Sequence, residues 1–381
     1  IDDMRARDTL ESNSGWPDFK RRNIPEVKDR AIKDAENGKW KTYPAILLFR
    51  YYNGKLRPVW MYPMSANIVE GSFTQPLQSA IMRSGLADGF FSPWKGFEAV
   101  RQLVTQTYAQ GKAIGASDFT STDAHFQLAT SKEAYDVLRT CFLPQYSDAL
   151  WESIERMHTI PLVVGPTKKV MGEHGVASGS NWTNFIETIF DMILAEYVAI
   201  VTSGAVKGLY AIGDDMAWVA RTRFRETFRK ELEEIGKSVG QIIKAEKTML
   251  EANKVKSLQR LFQRGYFVQE GTDVRAVYST VRALKSSVYP ERFHDTSKGW
   301  DHNMFCARQF MILENCVDHP LFQEFVRYVC EGNHHLVPFA KLTSSRLDEL
   351  TREAKLIPGL NPTYNQEKRD SSLSNFASIR R

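Results

Sequence analysis

Two adjacent carboxylates follow a short apolar run: Leu209-Tyr210-Ala211-Ile212 leads into Gly213-Asp214-Asp215. Neighbouring aspartates repel each other, and a turn that needed only a polar residue would accept Asn or Ser as well. A divalent cation relieves the repulsion, and hard cations take oxygen ligands. A third carboxylate, Asp118, ends another apolar run, Ala113 to Ala116, within Ser117-Asp118-Phe119-Thr120-Ser121-Thr122-Asp123. A carboxylate at the end of a buried strand is costly unless something pairs with it. A metal shared by Asp118 and Asp214 removes that cost; the simpler alternative is a helix N-cap. Two metals about 3.5–4 Å apart activate an attacking oxygen and stabilise a leaving one. The chemistry expected of this set is therefore activation of an attacking oxygen and stabilisation of a leaving one by metal held between Asp118 and Asp214.

A second segment, Ser178-Gly179-Ser180-Asn181-Trp182-Thr183-Asn184, is small, polar and glycine-bearing. Such a loop lets backbone approach a ligand closely, and its hydroxyls and amides can meet a sugar or a template strand. Read alone, it is equally an ordinary helix start.

The elements that must position these residues can be read from pattern. Tyr43 to Tyr52 reads as a strand, Asn53-Gly54 as a hairpin turn and Arg57 to Tyr62 as the returning strand. Helices are predicted at Ile24–Asn37, Gln75–Arg83, Gly96–Gln110, Lys132–Cys141, Tyr146–Met157 and about Ser180–Val201. Short strands are predicted at Ala113–Ala116, Ile160–Val164 and Leu209–Ile212, with a return at Met216–Ala220. An Arg-rich helix is expected over Arg221–Ile235, and its interspersed glutamates make it a solvated face rather than an RNA contact. A strand over Gln241–Ala245 follows. From about Gly271 the chain reads as mainly helical, with a disordered tail after Pro358. The order of elements fits an α+β fold with an antiparallel sheet core.

The bulk numbers exclude little. The 381 residues carry 50 Lys plus Arg against 45 Asp plus Glu, a net charge of +5 that permits a polyanionic partner without demanding one. Cys141, Cys306, Cys316 and Cys330 form no zinc spacing and read as reduced thiols of an intracellular protein. No apolar run approaches the roughly 20 residues that cross a bilayer, and Phe190–Thr202 is expected to be a buried helix.

In combination the weak signals become strong. D-x4-D, then SG-x3-T, then GDD resemble motifs A, B and C of viral RNA-dependent RNA polymerases, with 60 residues from Asp118 to Ser178 and 36 from Ser178 to Asp214. Lys55 to Pro63 resembles the basic motif F, Lys244 to Met249 the end of motif D, Phe262 to Phe267 motif E, and Arg282 to Phe293 the start of a small thumb. RPVW, SGSNWTN and YPERF look like the partitivirus and picobirnavirus group of double-stranded RNA viruses. The resemblance covers about Arg50 to Phe293; the last 85 or so residues carry no such motif.

This resemblance implies a right-hand polymerase of fingers, palm and thumb, the palm built on an antiparallel sheet. It places the first part of the fingers at 1–85, palm with motif A at 86–123, a fingers insertion at 124–172, palm with motifs B to E at 173–270, and a small helical thumb and tail at 271–381. The N-terminal part looks short for complete fingers, so an extension is expected to be missing. The implied roles are two Mg²⁺ or Mn²⁺ ions on Asp118, Asp214 and Asp215; triphosphate binding by Arg57 and Lys55; proton donation by Lys247, with Lys244 the poorer match; and ribose selection by Asp123, Ser178 and Asn184, with Gly179 and Thr183 in the same loop. Glu187 stands where the family usually has Asn, so either Asn184, one turn earlier, supplies that amide or Glu187 serves another network. The implied partners are template and nascent RNA, NTPs and a viral capsid protein, in the virion interior and host cytoplasm. Two rivals remain. A reverse transcriptase usually carries a bulky aromatic gate near Asp123. A non-catalytic palm-fold protein that binds RNA or capsid would have lost a metal aspartate.

Overall fold

A computed structural model describes residues 10, 12–52, 55–221, 227–243, 249–268, 271–289, 299–357, 360 and 371–380, without the side chains of 51, 52 and 55. Helix α1 (Pro25–Glu36) precedes strands β1 (Ala45–Tyr52) and β2 (Lys55–Met61), then helices α2 (Met64–Arg83) and α3 (Phe97–Ala109). Strand β3 (Ala113–Asp118) is followed by α4 (Leu128–Leu138), α5 (Ser147–Thr159) and the two-residue strands β4 (Leu162–Val163) and β5 (Lys169–Val170). Next come α6 (Trp182–Val201), the hairpin β6 (Val206–Ile212) and β7 (Asp215–Ala220), α7 (Phe228–Ser238) and β8 (Met249–Glu251). Strands β9 (Lys254–Ser257), β10 (Arg260–Phe267) and β11 (Val274–Tyr278) lead to α8 (Thr280–Val288), α9 (His302–Glu314), α10 (Phe322–Glu331) and α11 (Ser344–Lys355).

The chain forms two compact units, Ile1–Lys95 with Gln110–Ala252, and Gly96–Ala109 with Asn253–Arg381. The first holds two sheets, ordered β2-β1-β4-β5 and β6-β7-β3-β8. In the second of these, β3, β7 and β6 pair antiparallel. Helix α6 covers this sheet and buries Trp182, Phe185, Ile189, Phe190 and Leu194 in a core shared with Trp218 and Phe228. Gly208 permits the close packing: a Cβ there would lie 2.5 Å from the Ala195 Cβ on α6. The second unit has its own sheet, β11-β10-β9. Phe97 of α3 stacks on Phe262 of β10, and the Arg260 guanidinium lies 4.5 Å from the Phe97 ring centre. Its helical core includes Phe310, Met311, Phe339, Leu350 and Phe376.

Several expectations change. Helix α2 starts eleven residues before the expected Gln75 and runs through Pro76, because apolar packing of Met64, Ala66 and Phe73 outweighs one lost backbone bond. The Arg-rich helix begins at Phe228 rather than Arg221. Phe228 enters the core, and 222–226 lie outside the described residues. Of the strand expected at Gln241–Ala245, residues 241–243 show one bridge, Phe119 to Ile243, and 244 and 245 lie outside the described residues. The compact units divide at Ala252–Asn253, and β9, β10 and β11 form one sheet that runs across 270–271. The tail is folded over 371–380: Leu373 and Phe376 are buried, and Glu314 accepts hydrogen bonds from the Ala377 and Ser378 amides at 3.2 and 3.0 Å. Two apolar side chains and a buried carboxylate partner outweigh its polar composition. Among the described residues no helix is long and apolar enough to cross a membrane.

Candidate active site

Three carboxylates meet where β3 and β7 end. Antiparallel register sets Asp118 directly opposite Asp215, and Ile212 opposite Asp215 on the other side. Gly213 and Asp214 therefore form the tip between β6 and β7. Gly213 adopts φ +58, a left-handed conformation that favours glycine. The tip is pinned to α6: the Gly213 amide donates to Thr188 Oγ1 at 2.9 Å, and that hydroxyl donates to the Asn184 carbonyl at 2.7 Å. Below the tip, Trp218 Nε1 donates to Ser117 Oγ at 2.9 Å and ties β7 to β3.

Asp214 and Asp215 are open to solvent on one side, yet enclosed enough to resist ionisation. Burial, then the charges of Asp214 and Asp118, push Asp215 up to about 6. Burial raises Asp214 too; the Asp118 charge adds to that, while its own backbone hydrogen bond and the Arg57 guanidinium oppose it. Asp123 is raised by partial burial and by Asp214. Behind them on α6 lie two further acids: Glu187, expected either to yield the amide role to Asn184 or to serve another network, and Asp191, to which the sequence assigns no role. Burial, then the charges of Asp123 and Asp214, lift Glu187 to about 9. Asp191 is raised well above its usual range by burial, and then by Glu187, Asp214 and Asp215. One oxygen of each has no hydrogen-bond partner.

The donor set suits a hard dication. Its oxygens are all carboxylate, and the mutual repulsion seen in the raised acids is what a cation removes. Among the described residues no three His, Cys, Asp or Glu side chains are drawn together closely enough to cage an ion. Asp118, Asp214 and Asp215 fit the metal in type and strand register.

The loop before α6 rests against β2. The Trp60 amide donates to Ser178 Oγ at 3.2 Å, and a Cβ on Gly179 would lie 2.1 Å from the Trp60 carbonyl oxygen. Asn184 is exposed beside the hairpin tip, its Nδ2 2.6 Å from where a Gly213 Cβ would stand; Glu187 Oε2 is 3.5 Å from the same point and buried. Asn184 thus presents the amide, and Glu187 lies beneath it. Thr183 is buried and donates its hydroxyl to the Ala177 carbonyl at 2.7 Å, a support for the loop rather than an open ligand. Arg57 is exposed on β2 directly opposite Arg50 of β1. Like charges at a directly opposed pair are unfavourable, and a phosphate between them reverses the sign. Arg50 was missed, although the Asn53-Gly54 turn signal already pairs it with Arg57. Lys55 faces Tyr52 in the ladder, but its side chain, Lys244 and Lys247 lie outside the described residues.

The family model for viral RNA-dependent RNA polymerase matches residues 52–284. A potential RNA-dependent RNA polymerase of Human picobirnavirus (strain Human/Thailand/Hy005102) is 28% identical over 343 residues, 84% of this chain. The chain spans 62% of that relative's length. The RNA-directed RNA polymerase of Cryptosporidium parvum virus 1 (strain KSU-1) is 23% identical over 148 residues, 38% of this chain and 28% of that one. Among solved structures, the RNA-dependent RNA polymerase of a human picobirnavirus superposes with a TM-score of 0.79 at 24% identity, covering 99% of this chain and 74% of that chain. The Sicinivirus RNA-dependent RNA polymerase gives 0.60 at 15% identity, over 84% and 72%. The fold is that of a right-hand polymerase. Since the matched model takes in all three aspartates of the β3–β7 junction and more than half of the sequence, this chain belongs to the viral RNA-dependent RNA polymerase family.

Proposed function

We propose that the chain joins nucleoside triphosphates on an RNA template. A ribose 3′-hydroxyl attacks the α-phosphate of the incoming NTP, the bond to the bridging oxygen breaks, and pyrophosphate leaves. The observation that carries this reading is the register of Asp118 against Asp215, with Asp214 at the adjoining tip. These three carboxylates would hold the Mg²⁺ or Mn²⁺ ions, which supply Lewis-acid activation of the hydroxyl and neutralise the departing charge.

The remaining roles belong to the chain's own side chains. Arg57, with Arg50 opposite it, offers a guanidinium pair whose planar fork matches phosphate oxygens. Its charge already bears on Asp214, which supports triphosphate binding beside the reacting centre. Asp123 and Asn184 offer an acceptor and an amide on the ribose side, and Ser178 keeps its own proton to donate while accepting from Trp60. Lys247, assigned by motif alone, donates a proton to the pyrophosphate. The template is read by base pairing, so the protein grips backbone and shape.

The test is synthesis by the purified chain from a short RNA template, labelled NTPs and Mg²⁺ or Mn²⁺, beside Asp214→Ala. The expected result is metal-dependent RNA product from wild type and background from the variant, with dNTPs used poorly. Near-normal synthesis by Asp214→Ala overturns the assignment of the centre. Preferential use of dNTPs supports a reverse transcriptase instead.

A further inference from the structure

Among the buried carboxylates outside the chemistry above, one meets the ribose-side loop. Glu70, on α2, is 1% exposed. Ser180 Oγ donates to its Oε1 at 2.6 Å, and the Asn181 amide donates to its Oε2 at 2.7 Å. Asn67, one turn earlier on α2, donates through Nδ2 to Glu70 Oε2 and to the Gly179 carbonyl, both at 3.1 Å. The Asn181 side chain returns a bond to the Asn67 carbonyl at 2.8 Å. Arg22 holds Asn67 Oδ1 at 3.0 Å. Four consecutive residues, Ser178 to Asn181, are thus fastened either to β2 or to the first turns of α2, the helix that β2 leads into.

We propose that Glu70 is a positioning residue of the polymerase centre: its carboxylate fixes the Ser178–Asn181 loop against β2 and α2, and so sets the spacing between the ribose-side loop and Arg57. This rests on the polymerase reading above. A carboxylate offers charged acceptors on both oxygens to three donors, whereas the amide of Gln keeps a single neutral acceptor: with its oxygen toward Asn181 N–H and Asn67 Nδ2–H, its NH2 faces the Ser180 hydroxyl, and the charge that strengthens all three bonds is lost. A carboxylate kept merely to fill space would not be met by both a backbone amide and a hydroxyl of one functional loop.

Burial raises the Glu70 acid to about 7 against the hydrogen bonds that lower it. The ionisable groups around it are the Tyr62 phenol and the Arg22 guanidinium, with Arg156 acting on Tyr62. Protonation removes one acceptor, so the tether is complete above that pH and loosens as pH falls through it.

The experiment compares wild type, Glu70→Gln and Glu70→Asp for NTP KM and kcat, and for amide hydrogen exchange across 178–182. Glu70→Gln is expected to raise the NTP KM about tenfold, as loss of a charge-assisted hydrogen bond implies, with kcat changed far less and exchange at Asn181 accelerated. The rise in wild-type KM on acidification through about pH 7 should be absent in Glu70→Gln. A purely structural role instead lowers the active fraction and leaves KM unchanged, which overturns the proposal; so does unaltered exchange. Glu70→Asp keeps the charge on a shorter arm and separates reach from charge if Glu70→Gln folds poorly. No RNA synthesis by wild type under any condition ends the polymerase reading and the positioning role with it, while exchange still reports the tether.

Discussion

A Cβ on Gly179 would stand 2.1 Å from the Trp60 carbonyl oxygen and 3.0 Å from the Tyr62 side chain. Backbone cannot yield as the end of a flexible side chain can, so the loop must lift from β2. Gly179→Ala is therefore expected to raise the NTP KM at least about tenfold, since a displacement near 1 Å can cost far more than its contact energy. Gly165→Ala, where nothing lies within 4 Å of the added carbon, should leave steady-state kinetics unchanged. Equal effects of the two would show that contact with β2 does not matter. At this scale the aspartates were legible because adjacent carboxylates at a turn are hard to explain otherwise. Glu70 was not, since an isolated glutamate on a helix carries no sign of a partner 110 residues away. Asn184 and Glu187 could be named from spacing, but which one faced outward depended on the rotation of α6.

His158, near the end of α5, joins three segments. Its Nδ1 lies 2.9 Å from the His174 carbonyl, which can only accept, so that nitrogen carries the proton. Nε2 then accepts from the Ser131 hydroxyl of α4 at 2.6 Å. The loop it fixes runs on to Gly175, whose missing Cβ would lie 1.9 Å from the Asp123 carbonyl oxygen. Burial, the leading cause, lowers the His158 pKa from 6.5 to about 4. The folded protein keeps the ring neutral while the unfolded chain takes up a proton, so stability is present above about pH 6.5 and is lost as pH falls toward 4. The loss approaches about 3 kcal/mol at most. Urea melts of wild type at stepped pH should show this decline, and His158→Gln should flatten it; parallel curves would assign the acid sensitivity to other groups. The long elements were readable because alternation and helical spacing are local. Helix α2 was cut short in prediction because Pro76 punctuates a pattern that tertiary packing carries through. The pairing of β3 with β8, closed by residues far along the chain, left no local trace at all.

Across the whole molecule, the motif order gave the family but not how the chain divides. Strands β9 and β10 follow the palm motifs directly, yet they belong to the compact unit that also takes in Gly96–Ala109 and the C-terminal helices. That choice is made by stacking such as Phe97 on Phe262, between residues remote in sequence. The division makes the proposed metal centre separately observable. Asp118, Asp214 and Asp215 all lie in the first unit, and so do seven of the eight tryptophans, Trp300 being the exception. Tryptophan fluorescence therefore follows the unit that would bind the ions. A ligand that binds only the folded state at a hundredfold excess over its dissociation constant stabilises by about 2.7 kcal/mol, and about 2–4 °C per kcal/mol is typical for a unit of this size. Mg²⁺ or Mn²⁺ should raise the fluorescence-detected midpoint by about 5–10 °C. Asp215→Asn removes a proposed ligand, and it also removes a carboxylate held against Asp118 and Asp214. It is expected to raise the metal-free midpoint while abolishing most of the metal-dependent rise. A residue needed only for folding would lower the first and leave the second intact, so the opposed signs identify a carboxylate kept in an unfavourable place for the sake of a cation.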